Sequence, residues 1–133
     1  MTIDEKVARF LESKAFAVAG ASANPAKFGN KIMQCYLDKG YRVIPLHPLE
    51  QQIAGVDCLK SVADLPAEVG SLSIVTPPAI TEKIVKEAVR KGIRNIWMQP
   101  GAQSPAAVQY CEEQGINLIA DGTCVLVRLG CHH

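Results

Sequence analysis

The chain has 133 residues, of which 48% are hydrophobic and 20% charged, and its formal net charge is +1. This length predicts one domain spanning residues 1–133, and the near-zero charge argues against nucleic acid or an anionic membrane surface as the partner. The apolar runs have the length of strands rather than of membrane spans, and residues 1–6 lack an apolar signal-peptide core, so we expect a cytoplasmic protein.

The first part of the chain predicts two helices and two strands. Thr2 and Glu5 have the spacing of a capping box ahead of a short amphipathic helix. Residues 15–19 are apolar at every position, which is typical of a strand covered by helices on both faces. A helix over 29–39 and a strand over 41–46 follow.

The helix predicted over 79–91 has the clearest pattern in the second part of the chain. Its apolar positions recur at helical spacing and form one stripe. The stripe consists of Ile80, Ile84, Val85, Ala88 and Val89. The other predicted elements are an edge strand over 55–59, a helical turn capped by Ser61, a strand over 72–75, a strand over 93–98, a helix capped by Ser104, a strand over 116–120, and a sixth strand or a helix after Gly122.

Strands that alternate with helices at this spacing predict right-handed crossovers and a parallel sheet. The predicted fold class is α/β, with a single doubly wound, Rossmann-like sheet of five or six strands in the order 3-2-1-4-5. In such sheets ligands bind beyond the carboxyl ends of the strands, where the strand order reverses. The candidate site therefore consists of the loops at 20–29, 47–48, 76–78, 99–101 and 121–124.

The first of these loops has the features of a phosphate site. Unpaired amides and the dipole at the start of the following helix favour an anion. Gly20 and Ser22 leave room for the anion, Lys27 supplies a cation, and Ser22 and Asn24 supply hydrogen bonds. The spacing matches neither G-x-G-x-x-G nor G-x-x-x-x-G-K-[ST]. The alternative is an ordinary turn whose glycine serves only the backbone geometry.

The loop after the second predicted strand argues against a nicotinamide cofactor. Such sheets usually place an acid there, whereas this chain has Leu46-His47-Pro48. His47 suits a ligand contact better than a general base, since it has no evident acidic partner. Asp121 lies at a strand end where an acid could work, but Asp-Gly is also a common turn pair. Cys124 is better explained as a small buried apolar residue than as a thiol beside the ligand. We therefore predict no catalytic residues.

Two further loops are expected to line the ligand. Thr76-Pro77-Pro78 forms a rigid wall with few amide donors, which suits an apolar part of a ligand, although a stiff connector into the next helix is the alternative. Gln99 contributes an amide side chain, and Gly101 allows the backbone to approach closely.

The five cysteines, at positions 35, 58, 111, 124 and 131, form no C-x-x-C pair. In a reducing compartment this predicts no disulfide framework, and the spacing fits no zinc site. Cys35 and Cys111 fall on predicted helices and are expected to be structural. His132 and His133 are expected to be a frayed end rather than metal ligands.

Taken in order, these motifs resemble those of the stand-alone coenzyme A-binding domain proteins. The fold of that family is similar to the N-terminal domain of succinyl-CoA synthetase α subunits and of ADP-forming acyl-CoA synthetases. The resemblance covers residues 15–124. It rests on Val18-Ala19-Gly20-Ala21-Ser22 with Pro25, Lys27 and Gly29, on Val43-Ile44-Pro45 with Pro48, on Asp64-Leu65-Pro66, and on Val75-Thr76-Pro77-Pro78.

The resemblance implies that the ligand is coenzyme A or an acyl-CoA, with its phosphates on the loop at 20–29. The loops His47-Pro48, Thr76-Pro77-Pro78 and Met98-Gln99-Pro100 would line the nucleotide and the pantetheine, and His47 stands where relatives often carry asparagine. The predicted binding residues are Gly20, Ala21, Ser22, Asn24, Lys27, Gly29, Asn30, His47, Pro48, Thr76, Pro77, Pro78, Met98, Gln99 and Gly101.

Synthetase activity is not expected, because the sequence has no phosphohistidine domain, no P-loop and no carboxylate cluster for a metal. The prediction is a binding protein without catalysis, whose partner is a small molecule. Two alternatives stay open: an NAD(P)-binding redox protein on the same scaffold, and an interaction module with a vestigial nucleotide site. In the second, Val125, Leu126, Val127 and Leu129 would be exposed and would pack against a second copy or a partner subunit.

Overall fold

The computed structural model describes residues 1–131, and helices alternate with strands along most of this length. His132 and His133, the predicted frayed end, lie outside the described residues. The elements are, in chain order, α1 (Ile3–Leu11), β1 (Ala15–Ala19), α2 (Phe28–Asp38), β2 (Val43–Leu46), β3 (Gln52–Ile53), β4 (Val56–Asp57), a 3-10 turn (Val62–Asp64), β5 (Val69–Ile74), α3 (Pro78–Lys91), β6 (Asn95–Met98), α4 (Pro105–Glu113), β7 (Asn117–Ile119) and α5 (Val125–Arg128).

The main sheet has five parallel strands in the order β2-β1-β5-β6-β7. The chain moves outward from β1 to β2, and then returns to the other side of β1 to add β5, β6 and β7. This reversal confirms the doubly wound, Rossmann-like α/β class, but the predicted order 3-2-1-4-5 is wrong at its first strand, because the segment predicted beside β2 meets it only in an isolated bridge. The reversal places the switch point between β1 and β5. These strands are paired in register, with Phe16 beside Ser71 at one end and Ala19 beside Ile74 at the other.

The buried side chains form one cluster on each face of the sheet. In β1, Ala15, Ala17 and Ala19 point to the cluster that α3 and α4 cover. Phe16 and Val18 point to the cluster that α1, α2 and α5 cover. This two-sided burial explains why every position of β1 is apolar.

The predicted edge strand over 55–59 is wrong in detail. Strands β3 and β4 form a separate antiparallel hairpin, and only Leu59 forms a parallel bridge with Leu46. Ala54 and Gly55, between the two strands, have φ values of 54° and 78°, which suit a tight two-residue hairpin turn. On β2, Pro45 accepts a hydrogen bond from the Leu59 amide but has no N–H to return, so a longer ladder cannot form there.

Helix α3 buries most of the predicted stripe but not Ile80, since Val85 and Ala88 are fully buried and Ile84 and Val89 pack partly buried against the core. Thr81, Val85 and Ala88 are buried, whereas Ile80 is 42% exposed. The Thr81 hydroxyl lies 2.8 Å from the Thr76 hydroxyl and 3.2 Å from the Pro77 carbonyl oxygen, so a polar side chain is satisfied on the inner face. The helix is therefore rotated so that Thr81 faces the core, and Ile80 faces the space at the carboxyl ends of the strands.

The expectation of no disulfide is contradicted, because Cys35 and Cys131 are bonded, with their Cα atoms 5.7 Å apart. Cys111 is a buried free thiol, and burial raises its pKa to about 11. The segment after residue 122 is the short helix α5, in which Val125 is fully buried and only Val127 is strongly exposed. The predicted exposed apolar patch over 125–129 is therefore largely turned inward, because it packs on α2.

No helix within residues 1–131 is both long and apolar enough to span a bilayer. The same residues contain no cluster of three or more histidine, cysteine or acidic side chains that could hold a metal ion.

Candidate functional site

A cavity of about 310 Å³ opens at the carboxyl ends of β1, β2 and β5. It lies at the switch point, the position at which ligands bind in doubly wound sheets. Of the predicted binding residues, the cavity is lined by Gly20, Ala21, His47, Pro48 and Thr76. Three of the predicted loops therefore do meet around one space.

Gly20 brings the end of β1 against the loop that follows β5. Its φ is +88°, and an added Cβ would lie 2.9 Å from the carbonyl carbon of Val75 and 3.1 Å from the Thr76 amide nitrogen. A side chain at this position would be strained and would push the two loops apart. Glycine is thus needed for the contact that forms the floor of the cavity.

Gly29 allows a second close approach, at the start of α2. A Cβ there would lie 2.2 Å from the Gly20 carbonyl oxygen, which is far inside van der Waals contact. The first turn of the helix therefore rests directly on the end of β1. The amide groups of that turn are held beside the switch point.

Side chains of the loop at 20–29 hold its own backbone in place. The Ser22 hydroxyl accepts a hydrogen bond from the Asn24 amide at 3.1 Å, and the Asn24 side-chain oxygen accepts one from the Ala26 amide at 3.0 Å. The buried Asn30 side chain donates to the Ser22 carbonyl oxygen at 2.8 Å. The loop is therefore preorganised before any ligand is bound.

No side chain caps the N-terminus of α2. Lys27 occupies the N-cap position without making a capping hydrogen bond, and the first turn contains no acidic residue. The Asn30 and Lys31 amides donate to the Lys27 carbonyl oxygen, so the Phe28 and Gly29 amides are the ones left without a partner in the helix, and the positive end of the helix faces outward there. Lys27 is exposed at the same place. The turn thus offers donors and positive charge without a competing carboxylate.

His47 shapes the loop after β2. Its Nδ1 accepts hydrogen bonds from the amides of Leu49 and Glu50, both at 3.0 Å. This geometry requires the ring proton to be on Nε2, which is then a donor. The ring acts as a local cap at the edge of the cavity, and its Nδ1 is not free to act as a base.

Other predicted residues lie around the cavity rather than on it. Pro77 is the N-cap residue of α3 and Pro78 its first residue, and both are exposed beside Thr76. Met98 and Gln99 are fully buried, so they do not face the cavity surface. The Gln99 Oε1 atom accepts a hydrogen bond from the Val125 amide at 3.0 Å, which fixes α5 instead.

The opposite wall of the cavity was not predicted. It consists of Lys60, Ser61, Val62, Ile80, Ile84 and Glu87. The predicted stripe puts Ile80 and Ile84 on one face, but helical spacing alone does not show that this face borders a cavity; Ile84 also packs against the core. Lys60 and Glu87 carry opposite charges, and neither forms an ion pair within residues 1–131, where such pairs join Arg42 to Glu68 and Arg128 to Asp4.

Asp121 does not belong to this cavity. It borders a separate groove of about 510 Å³ beside the edge strand β7, with Lys6, Arg9 and Glu112. Hydrogen bonding from Thr123 lowers the pKa of the Asp121 carboxyl below its ordinary value. Asp121 therefore stabilises the turn at 121–123 as an ionised acceptor.

The fold and the cavity together define a Rossmann-like α/β domain with a preorganised loop at its switch point. A family model described as the CoA binding domain matches residues 14–130. The chain therefore belongs to the CoA binding domain family.

Similar proteins include both large ligases and small proteins. An ADP-forming acetate–CoA ligase of Methanocaldococcus jannaschii is 32% identical over 61% of this chain, but the match covers only 12% of the ligase. The chain thus spans a small part of that relative. Protein YneT of Bacillus subtilis is 24% identical, with 86% of this chain and 84% of that protein covered.

A solved structure of a conserved hypothetical protein from Pyrococcus furiosus has nearly the same extent as this chain. It superposes with a TM-score of 0.82 at 38% identity, and the match covers 86% of this chain and 98% of that one. A hypothetical protein from Pyrococcus horikoshii superposes with a TM-score of 0.88 at 27% identity, covering 97% of this chain and 92% of that one.

Proposed function

We propose that this protein, as a single domain over residues 1–133, binds coenzyme A, free or as an acyl-CoA. The pyrophosphate would lie on the loop at 20–29, at the uncapped N-terminus of α2. The rest of the ligand would extend across the cavity between His47 and α3. One observation carries the proposal: Gly20 and Gly29 hold unblocked helix amides at the switch point of a sheet whose family binds CoA.

Within this proposal the fifteen predicted residues have different tasks. Residues of the 20–29 loop with Asn30 would bind or position phosphate, and Pro48 and Thr76 would contact the nucleotide or the pantetheine. His47 would hold the loop that carries Pro48 in its binding shape. Pro77, Pro78 and Gly101 flank the entrance. The buried pair Met98 and Gln99 would support the site from below rather than touch the ligand.

We further propose that the protein does not catalyse a reaction of its CoA ligand. His47 is engaged as a cap through Nδ1, and Asp121 borders a different groove. The proposed location is the cytoplasm, where free thiols such as those of Cys58, Cys111 and Cys124 persist. Association with a second copy or a partner subunit is a prediction to be measured by light scattering.

Calorimetric titration with CoA tests the ligand, with NADP as the comparison. We expect saturable binding of CoA in the micromolar range or tighter. At a CoA concentration 100 times the dissociation constant, the free energy of unfolding should rise by about 2.7 kcal/mol. A clear rise of Tm with NADP and none with millimolar CoA would overturn the proposal. Acetyl-CoA incubated with the protein should release no thiol faster than in buffer alone.

A further inference from the structure

The disulfide joins two parts of the chain that are far apart in sequence. Cys35 lies in the middle of α2, and Cys131 follows α5, at a sequence separation of 96 residues. Their Cα separation of 5.7 Å is the usual one for a disulfide. The bond therefore closes a loop that contains almost the whole sheet.

The segment that this bond holds has few other anchors. We call residues 125–131 the α5 segment. A helix of four residues has little stability of its own, so it depends on tertiary contacts. These are the burial of Val125 with the packing of Leu126 and Leu129 against the cluster under α2, the Val125 amide bonded to Gln99, and an exposed ion pair from Arg128 to Asp4. Exposed ion pairs contribute little, so apolar packing and the disulfide are what tie this segment to α2.

The two sulfur atoms differ in accessibility. The Cys35 residue is fully buried, whereas Cys131 is partly exposed. A small reagent therefore reaches Cys131 first, whereas the buried Cys35 reacts only with the sulfur of Cys131. This is the arrangement of an attacking and a resolving cysteine.

We propose that Cys35 and Cys131 form a reversible two-electron redox site that fastens the α5 segment when it is oxidised by a low-molecular-weight disulfide. The Cys131 thiolate attacks one sulfur of the small disulfide RSSR, forms a mixed disulfide and releases RS⁻. The Cys35 thiolate then attacks the Cys131 sulfur and expels the second RS⁻. In total, a protein dithiol and RSSR give a protein disulfide and two RSH, and excess thiol reverses the steps.

Two of the free cysteines, Cys58 and Cys111, are poorer competitors for this reaction. Burial, together with the charges of Glu50 and Asp57, raises the pKa of the Cys58 thiol above its ordinary value. Burial also raises the pKa of Cys111 to about 11. Both thiols are therefore mostly protonated near neutral pH, and the thiolate is the reactive form. Cys124 is partly exposed and has no disulfide partner, so it serves as the matched control.

Glutathione redox buffers test the proposal on the full chain. In oxidised glutathione the protein should lose the mass of two hydrogens, and peptide mapping should find Cys35 linked to Cys131. Reduction should lower Tm by roughly 5–15 °C and accelerate amide exchange in the α5 segment. Cys124→Ser should keep both responses.

Single variants separate the roles of the two cysteines. Cys35→Ser should trap one glutathionyl group on Cys131, whereas Cys131→Ser should leave Cys35 unmodified; Cys35→Ala serves if the serine does not fold. The proposal is overturned if the oxidised protein keeps all its thiols free. It is also overturned if Cys131→Ser retains the Tm difference between oxidised and reduced protein. None of these readouts depends on CoA binding.

Discussion

The hydroxyl of Tyr36 in α2 lies 2.6 Å from the hydroxyl of Ser73 in β5, and both residues are fully buried. The helix that presents the proposed phosphate site is thereby tied to the strand at the other side of the switch point. Tyr36→Phe should lower the free energy of unfolding by about 1–3 kcal/mol, because the Ser73 hydroxyl loses its buried partner. Urea unfolding at neutral pH measures this, with Tyr110→Phe as the control. Equal losses in the two variants would contradict the role of the bond.

The same pair predicts a pH dependence. Burial raises the pKa of the Tyr36 phenol above its ordinary value, and the hydrogen bond with Ser73 acts in the opposite direction. The folded protein thus favours the protonated phenol, so this stabilisation is complete below the unfolded pKa of about 10 and is lost above it. Between about pH 10 and 12, wild type should lose stability faster than Tyr36→Phe. Parallel curves would contradict the prediction.

Gly29→Ala tests the contact between α2 and β1. The added methyl group would meet the Gly20 carbonyl oxygen, and backbone on both sides must shift. We expect a loss of about 1–3 kcal/mol in the free energy of unfolding, typical of overpacking. CoA affinity should fall at least tenfold as the amides move. The control is Gly40→Ala, where φ is +82° but no atom lies within 4 Å, so only the backbone cost of about 1 kcal/mol applies.

Locally encoded elements could be predicted from the sequence. The capping box of Thr2 with Glu5 and the cap of Ser104 on the Ala107 amide both formed as expected. These interactions need only a few neighbouring residues. The fully apolar β1 was also predicted, because a run of five apolar residues that ends at Gly20 is too short for a buried helix.

Features that depend on distant partners could not be predicted. Strand β5 starts at Val69, earlier than its apolar run indicates, because Ser71 donates its buried hydroxyl to the Phe10 carbonyl oxygen at 2.7 Å. The rotation of α3 depends on Thr81 in the same way. The opposite wall of the cavity, which includes Ile80 and Ile84, depends on that rotation. The sequence therefore predicted only the loops on the other side of the candidate site.

Lys27→Glu tests the phosphate subsite directly. Lys27 is exposed and makes no capping bond, so its replacement should leave the free energy of unfolding nearly unchanged. CoA affinity should fall by about 1–3 kcal/mol, or roughly fivefold to 150-fold, as a charge-assisted contact becomes a repulsion. Titration calorimetry measures the loss, and Lys83→Glu on the exposed side of α3 is the matched control. Equal effects of the two variants would show that only net charge matters.

Lys60 and Glu87 test whether the second wall of the cavity contacts the ligand. The two side chains line the same space without forming an ion pair there. For a polyanionic ligand, Lys60→Ala should weaken binding severalfold and Glu87→Gln should strengthen it. Both effects should shrink as salt increases from about 0.05 to 0.5 M, because the charges lie near solvent. Effects of the same sign in the two variants would argue that the ligand lies elsewhere.

His47→Asn and His47→Ala distinguish a cap from a direct ligand contact. The Nδ1 atom accepts from the amides of Leu49 and Glu50, and the side-chain oxygen of an asparagine at this position accepts from amides two and three residues onward in the same manner. We therefore expect His47→Asn to keep CoA affinity within about twofold of wild type. His47→Ala should lose the cap, which contributes about 1 kcal/mol, and amide exchange at residues 49 and 50 should accelerate. If both variants lose affinity equally while exchange accelerates only in His47→Ala, the ring itself contacts the ligand and the cap is incidental.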